Sequence, residues 1–201
     1  MNPGSDYFLT LGVERTFGFD NAALERRFYD LQNQSHPDRF AGASGGILGS
    51  ALDRSSDINE AYRTLRDPLR RTKHLLALYG YSVEQSKNVP MDLLELVMNV
   101  QEKVAELEFA NDDAKSEIIE SIDPLLDELG ERRTLIDIES KELQRQWDEM
   151  PSHAESGENL SENEKMILQQ LALKLASRAY ITTLLDSLNA AVKGESMVLK
   201  H

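Results

Sequence analysis

Apolar residues recur along most of this chain at three- and four-residue spacing, and the every-second-residue alternation that marks a half-buried strand is sustained nowhere. Positions three and four apart share one face of a helix, so a chain patterned this way buries its apolar surface by packing helix on helix. The expected class is all-α. Tyr7, Phe8, Leu9 and Leu11 form a short apolar start, and Gly12 and Gly18 bracket a turn. Asp20 or Asn21 is the expected N-cap of a helix over 20–35, with Leu24, Phe28 and Leu31 at i, i+4 and i+7. It must stop near Ser35, because His36 precedes Pro37 and a residue before proline avoids the α region. Residues 41–50, AGASGGILGS, hold four glycines and read as a mobile loop. A second helix is expected from Leu52, with Ile58, Ala61, Tyr62 and Leu65 at core spacing, until Asp67-Pro68 interrupts it. Leu69, Leu75, Leu76 and Leu78 carry a further helix to Tyr79-Gly80. Helices 20–35 and 52–66 then make an antiparallel hairpin.

The polar stretch 81–90, YSVEQSKNVP, is the expected linker. Beyond it lie three long helical patterns. In 91–110, Leu93, Val97, Val100, Val104 and Leu107 form a seam of alternating four-three spacing. In 113–147, Ile118, Ile122, Leu126, Leu129, Ile136, Leu143 and Trp147 recur, and Asp123-Pro124 should kink or restart the helix. In 164–193, Ile167, Leu171, Leu175, Ile181, Leu185, Leu188 and Val192 recur, after an acidic segment 148–163 expected to be an exposed loop. Short connections favour an antiparallel three-helix bundle. The expected domains are residues 1–80 and 91–201, separated by the linker.

Charge divides the same way. The net charge of −13 opposes nucleic-acid binding, which needs cations to displace the counterions on phosphates. Residues 1–80 carry 10 acidic and 10 basic side chains, whereas residues 81–201 carry 25 acidic and 12 basic. There are no cysteines, so disulfides, thiolate zinc sites and cysteine-ligated iron-sulfur clusters are excluded. No apolar run approaches the roughly 18 residues of a membrane span. Residues 1–8 lack the pattern of a signal or transit peptide, so a cytoplasmic protein without membrane association is expected.

The catalytic inventory is thin. The histidines are His36, His74, His153 and His201, with no HExxH and no phosphate-binding glycine loop ending in Lys-Ser/Thr. A metal site or hydrolytic centre on His36 and Asp38 would need partners that nothing nearby supplies. The tripeptide His36-Pro37-Asp38 stands out by placement, at a helix end and at the tip of a hairpin. Position alone leaves open whether it merely ends the helix or signals to a partner.

A second candidate lies on the 91–110 helix. After the seam is assigned to a core, Leu94, Leu96 and Met98 are left over, and Leu94, Met98, Glu102 and Glu106, spaced by four, form a separate face. Leu173, Tyr180 and Leu184 likewise fall partly outside the other apolar set of the last helix. Either the bundle core is wide enough to bury all of them, or they mark a face for a client or a second copy.

The helix, HPD, loop and antiparallel helix resemble a J-domain, the module by which co-chaperones stimulate DnaK-type ATPases. The segments DYFLTLGV, RRFYDLQNQSHPDRFA and INEAYRTLRDPLRRTKHLLALYG are similar to the HscB-type J-domain co-chaperones of iron-sulfur cluster assembly, strongly over residues 5–80 and more weakly over 91–195. Ser35 stands where tyrosine is common before HPD, and Asn33 where relatives often carry a basic residue. The resemblance implies that residues 1–80 are a J-domain that engages the chaperone HscA through His36, Pro37 and Asp38 with Arg26, Arg27 and Arg39. It implies that the carboxy-terminal bundle binds the cluster scaffold IscU through Leu94, Met98, Glu102, Glu106 and Tyr180. It further implies no catalysis, no cofactor and no metal of the protein's own. A J-protein serving a different client is the nearest alternative, and a hydrolase built on His36 and Asp38 a remote one.

Overall fold

The computed structural model describes residues 5–35, 45–83, 91–151, 153 and 157–194, and among them are seven α-helices and no strand. They are α1 (Tyr7–Leu11), α2 (Asn21–Ser35), α3 (Gly45–Arg66), α4 (Pro68–Leu78), α5 (Leu94–Phe109), α6 (Asp112–Asp148) and α7 (Glu162–Val192). The all-α expectation is met. The residues fall into two compact units, one of Met1–Ser82 with Gln144–Gln169 and the other of Val83–Leu143 with Gln170–His201. Residues 144–169, which the sequence pattern groups with the bundle, thus belong by contact to the first unit.

In the first unit the helix ends follow from local chemistry. Asp6 caps α1 by accepting from the Phe8 and Leu9 N–H groups, at 2.9 and 3.1 Å. Gly12 ends α1 at φ 65, a left-handed conformation that glycine adopts without a Cβ clash. Asp20 accepts from the Ala22 N–H at 2.9 Å, just before α2. Asp67 caps α4 through the Arg70 N–H at 2.8 Å, and Pro68 takes the first helical position, where its missing N–H costs nothing. The glycine-rich stretch departs from expectation, because α3 begins at Gly45 and its first residues are helical, while 41–44 lie outside the described residues. Each glycine there costs about 1 kcal/mol relative to alanine. Extending a helix already nucleated by its packed remainder offsets that cost.

The helices α2 and α3 are antiparallel. Phe28 stacks on Tyr62 with ring centroids 4.2 Å apart, and farther along Gln32 exchanges two hydrogen bonds with Ser55, at 3.3 and 3.1 Å. Leu24, Leu31, Ile58, Ala61 and Leu65 are buried in this unit. The other end of the unit is organised by Trp147, whose side chain is 0% exposed. Its indole N–H donates to the Arg15 carbonyl at 3.0 Å, its ring meets Phe17 and Tyr79 edge-on, and His153 stacks on it at 4.4 Å. The neighbouring Asp148 carboxylate accepts from the N–H groups of Phe17 and Gly18, at 2.6 and 2.7 Å. Leu160 and Glu164 are also buried, and Ser161 and Glu164 form a capping box that starts α7, with the Ser161 N–H donating to the Glu164 carboxylate at 2.8 Å. The segment expected to be an exposed loop is therefore tied down at both ends. An aromatic ring that would be costly to leave in water draws it in.

In the second unit, Leu93, Leu96, Val97, Val100 and Leu107 of α5 and the preceding turn pack with Ile122, Leu125, Leu129 and Ile136 of α6 and with Ile181, Leu184 and Leu188 of α7. The α5 seam is thus core, with Val104 partly buried against it. The α6 and α7 segments are antiparallel, since Asp137 pairs with Arg178 and Glu139 with Lys174, so numbering falls on one as it rises on the other. These half-exposed pairs set register more than stability, at about 0–1 kcal/mol each. The helix α6 does not restart at Pro124. Pro124 and Glu120, whose carbonyl loses its helical donor, are both on the exposed side, where water can satisfy that oxygen.

Two outcomes are expected for the first unit. Trp147 is the single tryptophan, so its fluorescence reports on this unit alone. Trp147→Ala should destabilise it by about 3–5 kcal/mol in chemical denaturation. Trp147→Phe, which keeps a ring but loses the bond to Arg15, should cost more than about 1 kcal/mol. The second outcome concerns pH. His74 accepts the Tyr7 N–H on Nε2 at 3.1 Å and stacks on the Tyr7 ring, which requires the neutral imidazole. Burial pushes His74 below its ordinary value against the opposing charge of Asp6, and burial does the same to His153 against Glu164, Asp148 and Glu14. The unfolded chain then binds protons first as pH falls. The stability of this unit should be full above about pH 6.5 and decline as pH drops below it, until the folded imidazoles themselves protonate. Denaturation midpoints at neutral pH and at acidic pH measure this, and His74→Gln should flatten the dependence.

Candidate functional site

Two surfaces carry the residues singled out in the sequence. On α2, Arg26 is exposed and only loosely paired with Asp20, at 3.8 Å. Arg27 is differently placed, since its Nε donates to the Leu11 carbonyl at 2.9 Å and a Cβ at Gly12 would lie 2.7 Å from its Nη2. Arg27 therefore ties α2 to the end of α1, and this structural role was not visible in the sequence. Tyr29 stands exposed on the same helix, and Ser35, the last residue of α2, is buried. His36, Pro37, Asp38 and Arg39 lie outside the described residues, in the chain segment that joins Ser35 to Gly45.

The second surface is on α5. Leu94 is 50% and Met98 64% exposed, and Glu102 and Glu106 are exposed as well. At roughly 100° per residue, the core positions of α5 occupy one arc. Leu94, Met98 and Glu102 fall roughly 110° to 190° from its centre, with Glu106 beyond. These four residues thus share a face that the bundle leaves uncovered. Glu106 accepts from the Lys103 ammonium at 2.7 Å, so its carboxylate is partly neutralised at the acidic end. Sequence reasoning missed Met91, which is 92% exposed and continues the apolar part of the stripe three residues before Leu94. Its signal was the i−3 spacing. Leu96 is core, contrary to its reading as a leftover, because it falls on the edge of the buried arc. On α7, Leu184 is core, Leu173 is exposed and Tyr180 is half-buried against the core. Tyr180 belongs to a different helix from the stripe and contributes in part to packing.

Among the described residues no group of three His, Asp or Glu side chains is placed to hold a metal ion, and no helix is long and apolar enough to cross a membrane. No family model matches the chain. Two solved structures resemble it over nearly its full length. The chaperone HscB from Vibrio cholerae matches with a TM-score of 0.51 at 23% identity, over 94% of this chain and 99% of its own. The human co-chaperone protein HscB matches with a TM-score of 0.53 at 23% identity, over 94% of this chain and 83% of its own. A hairpin followed by an acidic three-helix unit, matched over that span, gives this chain the fold of the HscB chaperones.

Proposed function

We propose that this protein is an HscB-type J-domain co-chaperone that stimulates the ATPase of a DnaK-type chaperone, HscA, and delivers to it the iron-sulfur scaffold IscU. The observation that carries this reading is the HPD tripeptide in the chain segment between the antiparallel helices α2 and α3, within a chain that has this fold. Residues 1–80 act as the J-domain, and the stripe on α5 binds the scaffold. The protein hydrolyses nothing itself and needs no cofactor. It changes its partner's rate by binding one conformation of the chaperone better than another. Exposed Arg26, with Arg39 beside the tripeptide, supplies positive charge for an acidic chaperone surface, which speeds encounter more than it deepens affinity. On the client side, Leu94 and Met98 are the apolar contacts, Glu102 and Glu106 orient a basic partner surface, and Tyr180 adds to the edge. The zero cysteine count fits a protein that handles the scaffold rather than the cluster. A cytoplasmic location, where a DnaK-type chaperone operates, goes with this role.

His36→Gln should abolish stimulation of the HscA ATPase while leaving IscU affinity and helicity unchanged, and stimulation at the wild-type level would refute the assignment. Leu94→Ala combined with Met98→Ala should weaken IscU binding about tenfold or more, equivalent to about 1.4 kcal/mol, measured by calorimetry. Both side chains are exposed, so the thermal midpoint should hold. If His36→Gln abolishes stimulation but the wild-type chain fails to bind IscU, the protein serves another client.

A further inference from the structure

The α3–α4 junction carries a positive surface that the proposed chaperone signal does not use. Half of the basic side chains in residues 1–80 fall between Arg63 and Lys73, where Asp67 is the single acid. Arg63, Arg66 and Arg70 stand exposed and, with Tyr62, Asp67 and Pro68, line an open groove of about 400 Å³. Among the described residues no carboxylate lies within ion-pair distance of these three guanidinium groups, whereas Arg15, Arg26, Arg145 and Arg178 each hold one. Helix electrostatics accounts for part of this. Arg63 and Arg66 sit in the last turn of α3, where a cation suits the macrodipole. Arg70 sits in the first turn of α4, where the macrodipole opposes it, so its place has no such explanation.

The groove is also prearranged. Phe28 stacks on Tyr62, and the Arg66 guanidinium lies over the Tyr62 ring at 5.8 Å, which holds one fork in position before anything binds. The nature of the ligand follows from the start of α4. Phosphate sites at helix starts use open backbone N–H groups. Here Pro68 has none, and the Arg70 N–H is taken by the Asp67 carboxylate. The groove therefore offers an anion mainly side-chain forks, which match carboxylates as well as phosphates two bonds at a time. An open groove rather than an enclosed cradle suits an extended chain. We propose that this groove docks an acidic segment of a partner protein, its Asp or Glu carboxylates taken by Arg63, Arg66 and Arg70. Along α3, Arg66 lies about 30 Å from Gly45, so this surface is separate from the end of the hairpin that carries the HPD segment.

An oligoglutamate peptide titrated into the full chain, followed by two-dimensional amide NMR at low salt, tests this. The expected result is that shifts concentrate at residues 62–70, that binding weakens with added salt, and that His36→Gln binds as the wild type does. Arg63→Gln with Arg66→Gln and Arg70→Gln should raise the Kd about tenfold or more, and the corresponding lysine variants should fall between, because they keep charge and lose the fork. Arg70→Gln alone should raise the Kd severalfold, and it decides the matter if the triple variant fails to fold. Unchanged affinity in these variants, or shifts centred elsewhere, overturns the proposal. Tighter binding of single-stranded RNA or inorganic phosphate at the groove does so too.

Discussion

Burial of one indole organises the first unit. The segment between α1 and α2, residues 12–20, makes no helix of its own, so its backbone N–H groups need partners from elsewhere. Trp147 takes the Arg15 carbonyl and covers Phe17 and Tyr79, and the adjacent Asp148 carboxylate takes the Phe17 and Gly18 N–H groups. Burial raises the pKa of Asp148, and these two backbone donors act against it, followed by His153 and Arg71. Two consecutive residues far along the chain therefore close a unit that begins at the amino terminus. A hairpin of α2 and α3 alone would leave that polar backbone and those rings in water.

The uneven charge acquires a spatial meaning once the helices are placed. The first unit owes its balance to arginines used in different ways: Arg27 holds the end of α1, Arg71 is buried with its guanidinium donating to the Leu65 carbonyl, and Arg63, Arg66 and Arg70 face solvent with no carboxylate partner among the described residues. The same residue type thus serves as a cap, as an internal donor and as an exposed anion fork. Which role each plays depends on whether a carbonyl or a carboxylate lies within reach of the long side chain.

On α5 the division between packing and recognition is a matter of angle. A helix in a three-helix unit meets its two neighbours along one broad arc, and the residues opposite that arc have nothing to pack against. Leu94 and Met98 fall there with Glu102 and Glu106, and Met91 extends the apolar end. Apolar side chains held on a rigid helix make a face whose shape is set before a partner arrives, which lowers the ordering cost of binding.

Periodicity, proline and capping residues, all properties of neighbours in the chain, were enough to read the helices, the hairpin, the α5 seam and the stop at Asp67-Pro68 from sequence. The glycines of α3 were misjudged because local propensity is outweighed when the rest of a helix is packed, and of the two outcomes open to Pro124 the restart does not occur, its lost hydrogen bond lying on the exposed side. The HPD tripeptide and the α5 stripe were legible as motifs and as spacing, and the fold match adds a framework for both. The sequence by itself determined the helical class, the placement of negative charge in the second half and the absence of any thiolate chemistry. Only the tertiary structure decided that residues 144–169 complete the first unit, that Arg27 is a brace, and that three arginines around Tyr62 share a groove. Each of these depends on groups brought together from distant or separately folded segments, and spacing along a chain carries no record of such distances.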